Sequence, residues 1–345
     1  MNQNATRLGK KKLLRVKMSV IIAVFIVLFF GSFNFGRYDG ISLWNVVLIF
    51  VNKVFPVHGD WPKSFETVVL YIRFPRIIAA VLIGGALALA GTSYQAVFKN
   101  PLVSPDILGA SAGASFGAAL AIFNSFGAVW VQISAFIMSL IAVGCSCFVG
   151  GRIKRDPSLA LILSGIFVSS LASALVSLMK FLADPLDKLP TITFWLLGTL
   201  SNITLTDITW ALIPMAVGAV PLILLRWRLN VLSMGDDEAK ALGIETKRLR
   251  FVVILCSTIL TAASISIGGL IGWVGLVIPH LARTIVGSNN KILIPAAIII
   301  GGSFLLLVDN FARSLSSVEI PLGVLTAIVG APFFITLMLR GKEAS

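Results

Sequence analysis

Residues 70–97 read "LYIRFPRIIAAVLIGGALALAGTSYQAV". From Ile77 to Val97 there is no charged side chain. About 20 consecutive apolar residues carry a helix across a hydrocarbon layer about 30 Å thick. The run is continuous, without the alternation that a membrane β-strand shows over about ten residues. Two arginines, Arg73 and Arg76, stand immediately before it.

The rest of the chain repeats the pattern. Of 345 residues, 57% are hydrophobic and 12% charged, and the mean hydropathy is +0.96. Soluble domains average about 25% charged residues, so this chain cannot cover a water-facing surface of its size. Apolar runs bounded by charge or by Pro and Gly clusters predict about ten spans. These are 18–35, 77–97, 107–123, 127–149, 158–182, 205–225, 250–268, 273–287, 292–308 and 320–340. The stretch 269–279, rich in Gly and ending in Pro279, is expected to be partly unwound or re-entrant. The fold class is all-α and polytopic.

The net charge of +13 is explained by loop lysines and arginines that orient a membrane protein, so nucleic acid is not an expected partner. Cys145, Cys147 and Cys256 all lie in apolar runs, and "CSC" lacks the two-residue spacer of common zinc and redox motifs. The basic start followed by a long apolar segment, without a small-residue cleavage site, reads as a retained first span. With the N-terminus in the cytoplasm, twenty of the 28 Lys and Arg residues fall on cytoplasmic segments. That bias supports cytoplasmic N- and C-termini. It leaves Arg73, Arg76 and Arg313 outside, against the trend.

Nothing in the chain resembles a catalytic constellation. The two histidines, His58 and His280, are far apart; His58 is placed in an external loop. There is no G-x-x-x-x-G-K-[ST] phosphate loop. Asp106, Asp207, Asp309 and Glu319 fall at the edges of the spans, where a carrier that moves protons or ions by itself would need ionisable groups at membrane depth. Small residues abound in "LIGGALALAGTS", "GASAGASFGAA" and "SISIGGLIGWVGL", which suits close helix packing.

The longest polar connection is 226–250, "RWRLNVLSMGDDEAKALGIETKRLR". Ser233 is placed to cap a short helix, and Asp236, Asp237 and Glu238 favour the positive end of its dipole. Met234, Ala241 and Leu242 offer an apolar patch, and Gly243 can end the helix. The segment is a plain connector or a docking element for a cytoplasmic partner.

Three segments resemble the signatures of the iron–siderophore, haem and cobalamin permeases of bacterial ABC importers. They are "NPLVSPDILGASAGA" (100–114), "GLIGWVGLVIPHLAR" (269–283) and "EIPLGVLTAIVGAPFFITLML" (319–339), in the family's order. The resemblance runs from about Leu70 to Leu339. It implies a type II ABC importer permease fold of ten transmembrane helices, a single permease domain over 1–345, in the bacterial inner membrane. It also implies a second permease subunit, two cytoplasmic ABC ATPases and an external substrate-binding protein, with no cofactor and no catalysis by this chain. Carried over by residue, Arg73, Arg76 and Arg313 match external arginines that pair with glutamates of the binding protein. Changing one such rim pair is expected to cost about 0–1 kcal/mol. The segment around 228–249 matches the coupling helices that sit in the ATPase, with Ser233, Met234, Gly235, Asp236, Asp237, Glu238, Ala239, Leu242 and Gly243 at its centre. The spacing from Glu238 and Ala239 to Gly243 is one residue shorter than the general pattern. Spans five and ten line the pathway in related proteins. Ferric siderophores are the expected cargo, with cobalamin and haem as alternatives.

Overall fold

A computed structural model describes residues 2–36, 38, 40–53, 55, 61–153, 156–316 and 318–341, with the backbone alone at 2–8, 10 and 336–341. His58, Arg37, Lys154, Arg155 and Lys342 lie outside the described residues.

The described residues form fifteen α-helices and no strand. The first five are α1 (Asn2–Gly31), α2 (Leu43–Asn52), α3 (Lys63–Thr67), α4 (Phe74–Phe98) and α5 (Ala110–Phe123). Next come α6 (Ala128–Gly150), α7 (Pro157–Leu182), α8 (Lys188–Leu197), α9 (Leu205–Leu224) and α10 (Arg226–Met234). The last five are α11 (Asp236–Ala241), α12 (Thr246–Gly268), α13 (Val274–Val286), α14 (Asn290–Ser314) and α15 (Leu322–Gly341). Each of the ten expected spans falls on one helix. Among the described residues, seven helical runs are long and apolar enough to cross a membrane, while α2, α5, α13 and the Leu322–Ile335 part of α15 are shorter apolar helices. Apolar α2 and the short α8 are additions to the sequence reading. Between α12 and α13 only 269–273 leave the helix, and Pro279 sits inside α13.

The span at 77–97 belongs to a longer helical run, Lys63–Phe98. A π-helical turn at Val68–Arg73 joins α3 to α4. Proline has no N–H and crowds the carbonyl one turn back. The π turn just before Pro75 shifts the bonding register, with the Phe74 N–H donating to Val69 O, so the helix passes through the proline. Arg73 and Arg76 are therefore inside a helix rather than ahead of one.

Helix α4 is the axis of the bundle, with nearly all of its side chains buried. It packs on α12, α13 and α14, while α5, α6 and α7 form a second group tied to it through α12. The contacts are backbone to backbone. A Cβ on Gly84 would lie 2.2 Å from the Gly301 carbonyl oxygen of α14, and one on Gly91 would lie 1.9 Å from the Gly275 oxygen of α13. On α5, Gly113 and Gly117 meet Met138 and Ser134 of α6 in the same way, at 2.5 and 2.3 Å from their carbonyl oxygens. In a bilayer no hydrophobic driving force joins two apolar helices, so such close approach supplies van der Waals contact instead. Exposed apolar side chains, such as Trp130, Phe148, Trp210, Ile213 and Leu224, form the outer belt.

Helix α14 runs to Ser314, beyond the expected boundary of 308. Asp309 is inside this helix and fully buried, not at a span edge. Asp207 does sit at an edge, in a capping box with Thr204 at the start of α9.

Candidate functional site

Two polar assemblies lie at opposite ends of the bundle. The first is at the end where α1 finishes and α4 starts. About 33 Å of helix separate Arg76 from Phe98, at 1.5 Å per residue, which is roughly one hydrocarbon thickness.

This assembly brings Arg73, Arg76 and Arg313 together, but the three residues are 3%, 4% and 5% exposed. Arg73 donates to the carbonyl oxygens of Phe33 and Tyr38, the latter at 2.7 Å. Arg76 Nε donates to Asp309 Oδ1 at 2.7 Å, and its Nη1 donates to both oxygens of Glu319 at 3.0 and 2.9 Å. Arg313 donates to the carbonyl oxygens of Phe35 and Ser32, both at 3.1 Å, and to Asn310 Oδ1. Its Nε lies 3.2 Å from Asp309 Oδ2, an ion pair without an aligned hydrogen bond. The three guanidinium groups, expected from the resemblance to meet a binding protein, are thus engaged inside this chain. They are committed within the chain, because α14 brings the buried Asp309 to Arg76 and Arg313, Glu319 reaches Arg76 from the loop before α15, and the carbonyls of Ser32, Phe33, Phe35 and Tyr38 accept from Arg73 and Arg313. The estimate of about 0–1 kcal/mol for an exposed pair does not apply to Arg76 and Asp309.

Glu319 is the member nearest solvent, with 28% of its side chain exposed. It also accepts from Ser201 Oγ at 2.6 Å. Ser201 is in the loop between α8 and α9. That loop is fixed where Gly198 and Gly269, both at positive φ, cross: the Thr199 N–H donates to Gly268 O and the Leu322 N–H to Gly198 O, both at 3.0 Å. Glu319 thus links α4, the α8–α9 loop and the start of α15.

The second assembly is the 228–249 segment at the end where α1 begins and α4 finishes. It holds two helices, α10 and α11, broken at Gly235. Ser233 does not cap: its hydroxyl donates back to Leu229 O within α10 at 2.8 Å, and the cap position of α11 is Gly235. Gly243, at φ +76°, ends α11. The Gly243 N–H donates to Lys240 O and the Ile244 N–H to Ala239 O, both at 2.9 Å, which is a Schellman motif. Ala239 and Ile244 are buried, while Met234, Asp237, Glu238, Lys240, Ala241 and Leu242 are exposed. Met234 and Leu242 are 71% and 59% exposed, so the apolar patch read from the sequence faces outward. A cleft of about 530 Å³ beside it is lined by Trp227, Arg228, Leu242, Arg248 and Val252, among others.

Asp236 faces the protein. It accepts from Lys99 Nζ at 2.7 Å and from Arg250 Nη2 at 2.8 and 2.9 Å. The hydrogen bond from Lys99 holds its carboxyl below the ordinary value of 3.8; partial burial opposes this and Arg250 adds to it. Lys99 caps α4 at φ 51°, a left-handed conformation that costs a non-glycine residue of order 1 kcal/mol or more. Lys99 and Arg250 were counted in the sequence only as loop charges, and no local pattern marks them as partners of Asp236.

Among the described residues no group of three or more His, Cys, Asp or Glu side chains is placed to hold a metal ion.

The FecCD transport family model matches residues 20–340. The chain belongs to the FecCD transport family. It is 41% identical over 312 residues to the molybdate import system permease protein MolB of Haemophilus influenzae, covering 90% of this chain and 92% of that one. It is 37% identical over 333 residues to a probable iron chelatin transport system permease protein of Helicobacter pylori, covering 96% and 99%. It matches a solved structure described as the inward-facing conformation of a "metal-chelate type ABC transporter", with TM-score 0.84, 36% identity and coverage of 94% and 99%. This FecCD chain is accordingly a multi-pass inner-membrane permease subunit of an ABC importer. It is not catalytic, since ATP is hydrolysed by a separate ATPase subunit.

Proposed function

We propose that this chain forms, with a second permease subunit, the membrane pathway of an importer for ferric siderophores. The near full-length similarity to an iron chelatin permease carries this reading. Helices α7 and α15 wall the pathway. In support, α7 leaves Ile166, Phe167, Ser170, Ser173 and Ser177 exposed, while α15 leaves Ile328 and Val329 exposed.

Two ATPase subunits grip the 228–249 segment, where Met234 and Leu242 supply the apolar contact and the termini share the cytoplasmic side. A substrate-binding protein docks at the opposite end. The arginines there are committed internally but outnumber the two carboxylates Asp309 and Glu319, and that net positive charge draws the carboxylates of the binding protein to this end. ATP binding shifts the permease between outward- and inward-open states through differential contacts.

A molybdate importer is the second reading, favoured by the 41% identity to MolB. Uptake assays in a strain deleted for this chain and complemented with it, using iron-labelled ferric siderophores, molybdate, haem and cobalamin in parallel, test the substrate. Chain-dependent uptake of a ferric siderophore supports the first reading. Molybdate uptake without siderophore uptake replaces it with the second.

A further inference from the structure

We propose that Asp236, gripped by Lys99 and Arg250, is the positioning residue that makes the coupling segment and the axial helix α4 move as one body. This rests on the reading of 228–249 as the ATPase contact and goes beyond it, from where the ATPase binds to how its motion enters the membrane.

Three observations carry the inference. First, the segment turns Met234, Asp237, Glu238 and Leu242 outward, while Asp236 alone among its acids points back to the membrane helices, with two cations on one carboxylate. Second, those cations come from different helices. Lys99 ends α4 and Arg250 belongs to the first turns of α12. A push on α11 therefore reaches both at once. Third, Lys99 occupies a left-handed cap position where glycine is the relaxed choice, so its side chain has a use that outweighs its backbone. The path continues inward from there. One turn before Lys99, Gln95 donates to Leu276 O and accepts from Arg283, both on α13, at 3.4 and 3.0 Å. Helix α4 meets α13 and α14 through the glycine contacts described above, which leave little room for slip.

The useful variant is Lys99→Gly, because it relaxes the backbone while removing the ammonium. Asp236→Asn removes the charge from the other side, and Asp236→Glu is the conservative control. The full permease–ATPase complex carries spin labels at two exposed positions, Tyr71 at the far end of the α4 run and Lys240 on α11, which is not among the residues assigned to the ATPase contact. In the parent complex the distance between them is expected to stay constant within its own width, with and without ATP. In Lys99→Gly and Asp236→Asn the distribution is expected to broaden at least about twofold and to shift on ATP binding. ATPase is expected to co-purify with both at parental stoichiometry, and Asp236→Glu to restore the narrow distribution. The proposal is overturned if the parent distance shifts with ATP, if the two variants stay as narrow as the parent, or if they shed the ATPase, which would make Asp236 part of the docking surface. If the parent complex itself holds no ATPase, the reading of 228–249 fails instead; the width of the two-label distribution in the permease alone, parent against Lys99→Gly, then decides whether the clamp exists.

Discussion

Arg76 Nε lies 2.7 Å from Asp309 Oδ1, joining α4 to α14 across 233 positions of sequence, with the two side chains 5% and 0% exposed. Removing one partner of a buried pair leaves an uncompensated charge, which costs about 3–5 kcal/mol. Arg76→Ala is therefore expected to lower thermal stability in detergent sharply. Replacing both residues with leucine is not expected to recover the loss, because Asp309 also pairs with the buried Arg313 at 3.2 Å and Arg76 with Glu319, so the double change leaves Arg313 as a buried charge without its carboxylate. Thermal unfolding of the single and double variants checks this, and a double variant restored to parental stability would contradict it.

The glycine contacts give a second contrast. Gly84→Ala and Gly91→Ala force Cβ atoms onto carbonyl oxygens of neighbouring helices, and overpacking of this kind costs about 1–3 kcal/mol. Gly144 is also inside a helix, but a Cβ there meets nothing within 4 Å. Gly144→Ala is expected to be neutral or to stabilise by about 0.5–1 kcal/mol through helix propensity. Stability measured for all three separates packing from composition.

The clamp on Asp236 has a defined pH window. Its folded carboxyl is held below 3.8, so its contribution is complete above the unfolded value and is lost as pH falls through the folded one. Hydrogen exchange, corrected for intrinsic rates, is expected to show constant protection of 236–244 from about pH 5 to 8, with loss beginning below about pH 4. Loss of protection between pH 6 and 8 would show that a different group controls the segment.

Met234 and Leu242 are exposed and hold nothing inside the chain together. Met234→Asp with Leu242→Asp is expected to leave thermal stability within about 0.5 kcal/mol. It is also expected to weaken ATPase binding at least about tenfold, or about 1.4 kcal/mol. Titration of the purified ATPase against the permease in nanodiscs measures it.

The spans were legible because a bilayer demands long apolar runs, and that demand is local. The apolar patch at Met234 and Leu242, and the role of Gly243 in ending α11, were legible for the same reason. What escaped was non-local. The internal partners of Arg73 and Arg76 escaped because Asp309 lies 233 residues from Arg76 and the accepting carbonyls of Phe33 and Tyr38 carry no sequence mark; Asp309 is only four residues from Arg313, but it was placed at a span edge and not inside the helix. The helix through Pro75 was hidden because a π turn, which has no simple sequence pattern, absorbs the missing bond. Ser233 failed as a cap because Gly235 moved the start of α11 two residues onward. Lys99 escaped because a left-handed lysine has no distinguishing neighbour in sequence.

The most direct test of the central claim is uptake into proteoliposomes containing the permease dimer, with and without the ATPase subunit, with the binding protein and a labelled ferric siderophore outside and ATP within. The account predicts uptake only when ATPase and ATP are both present, and none driven by an ion gradient alone. Uptake by the permease without its ATPase would contradict it.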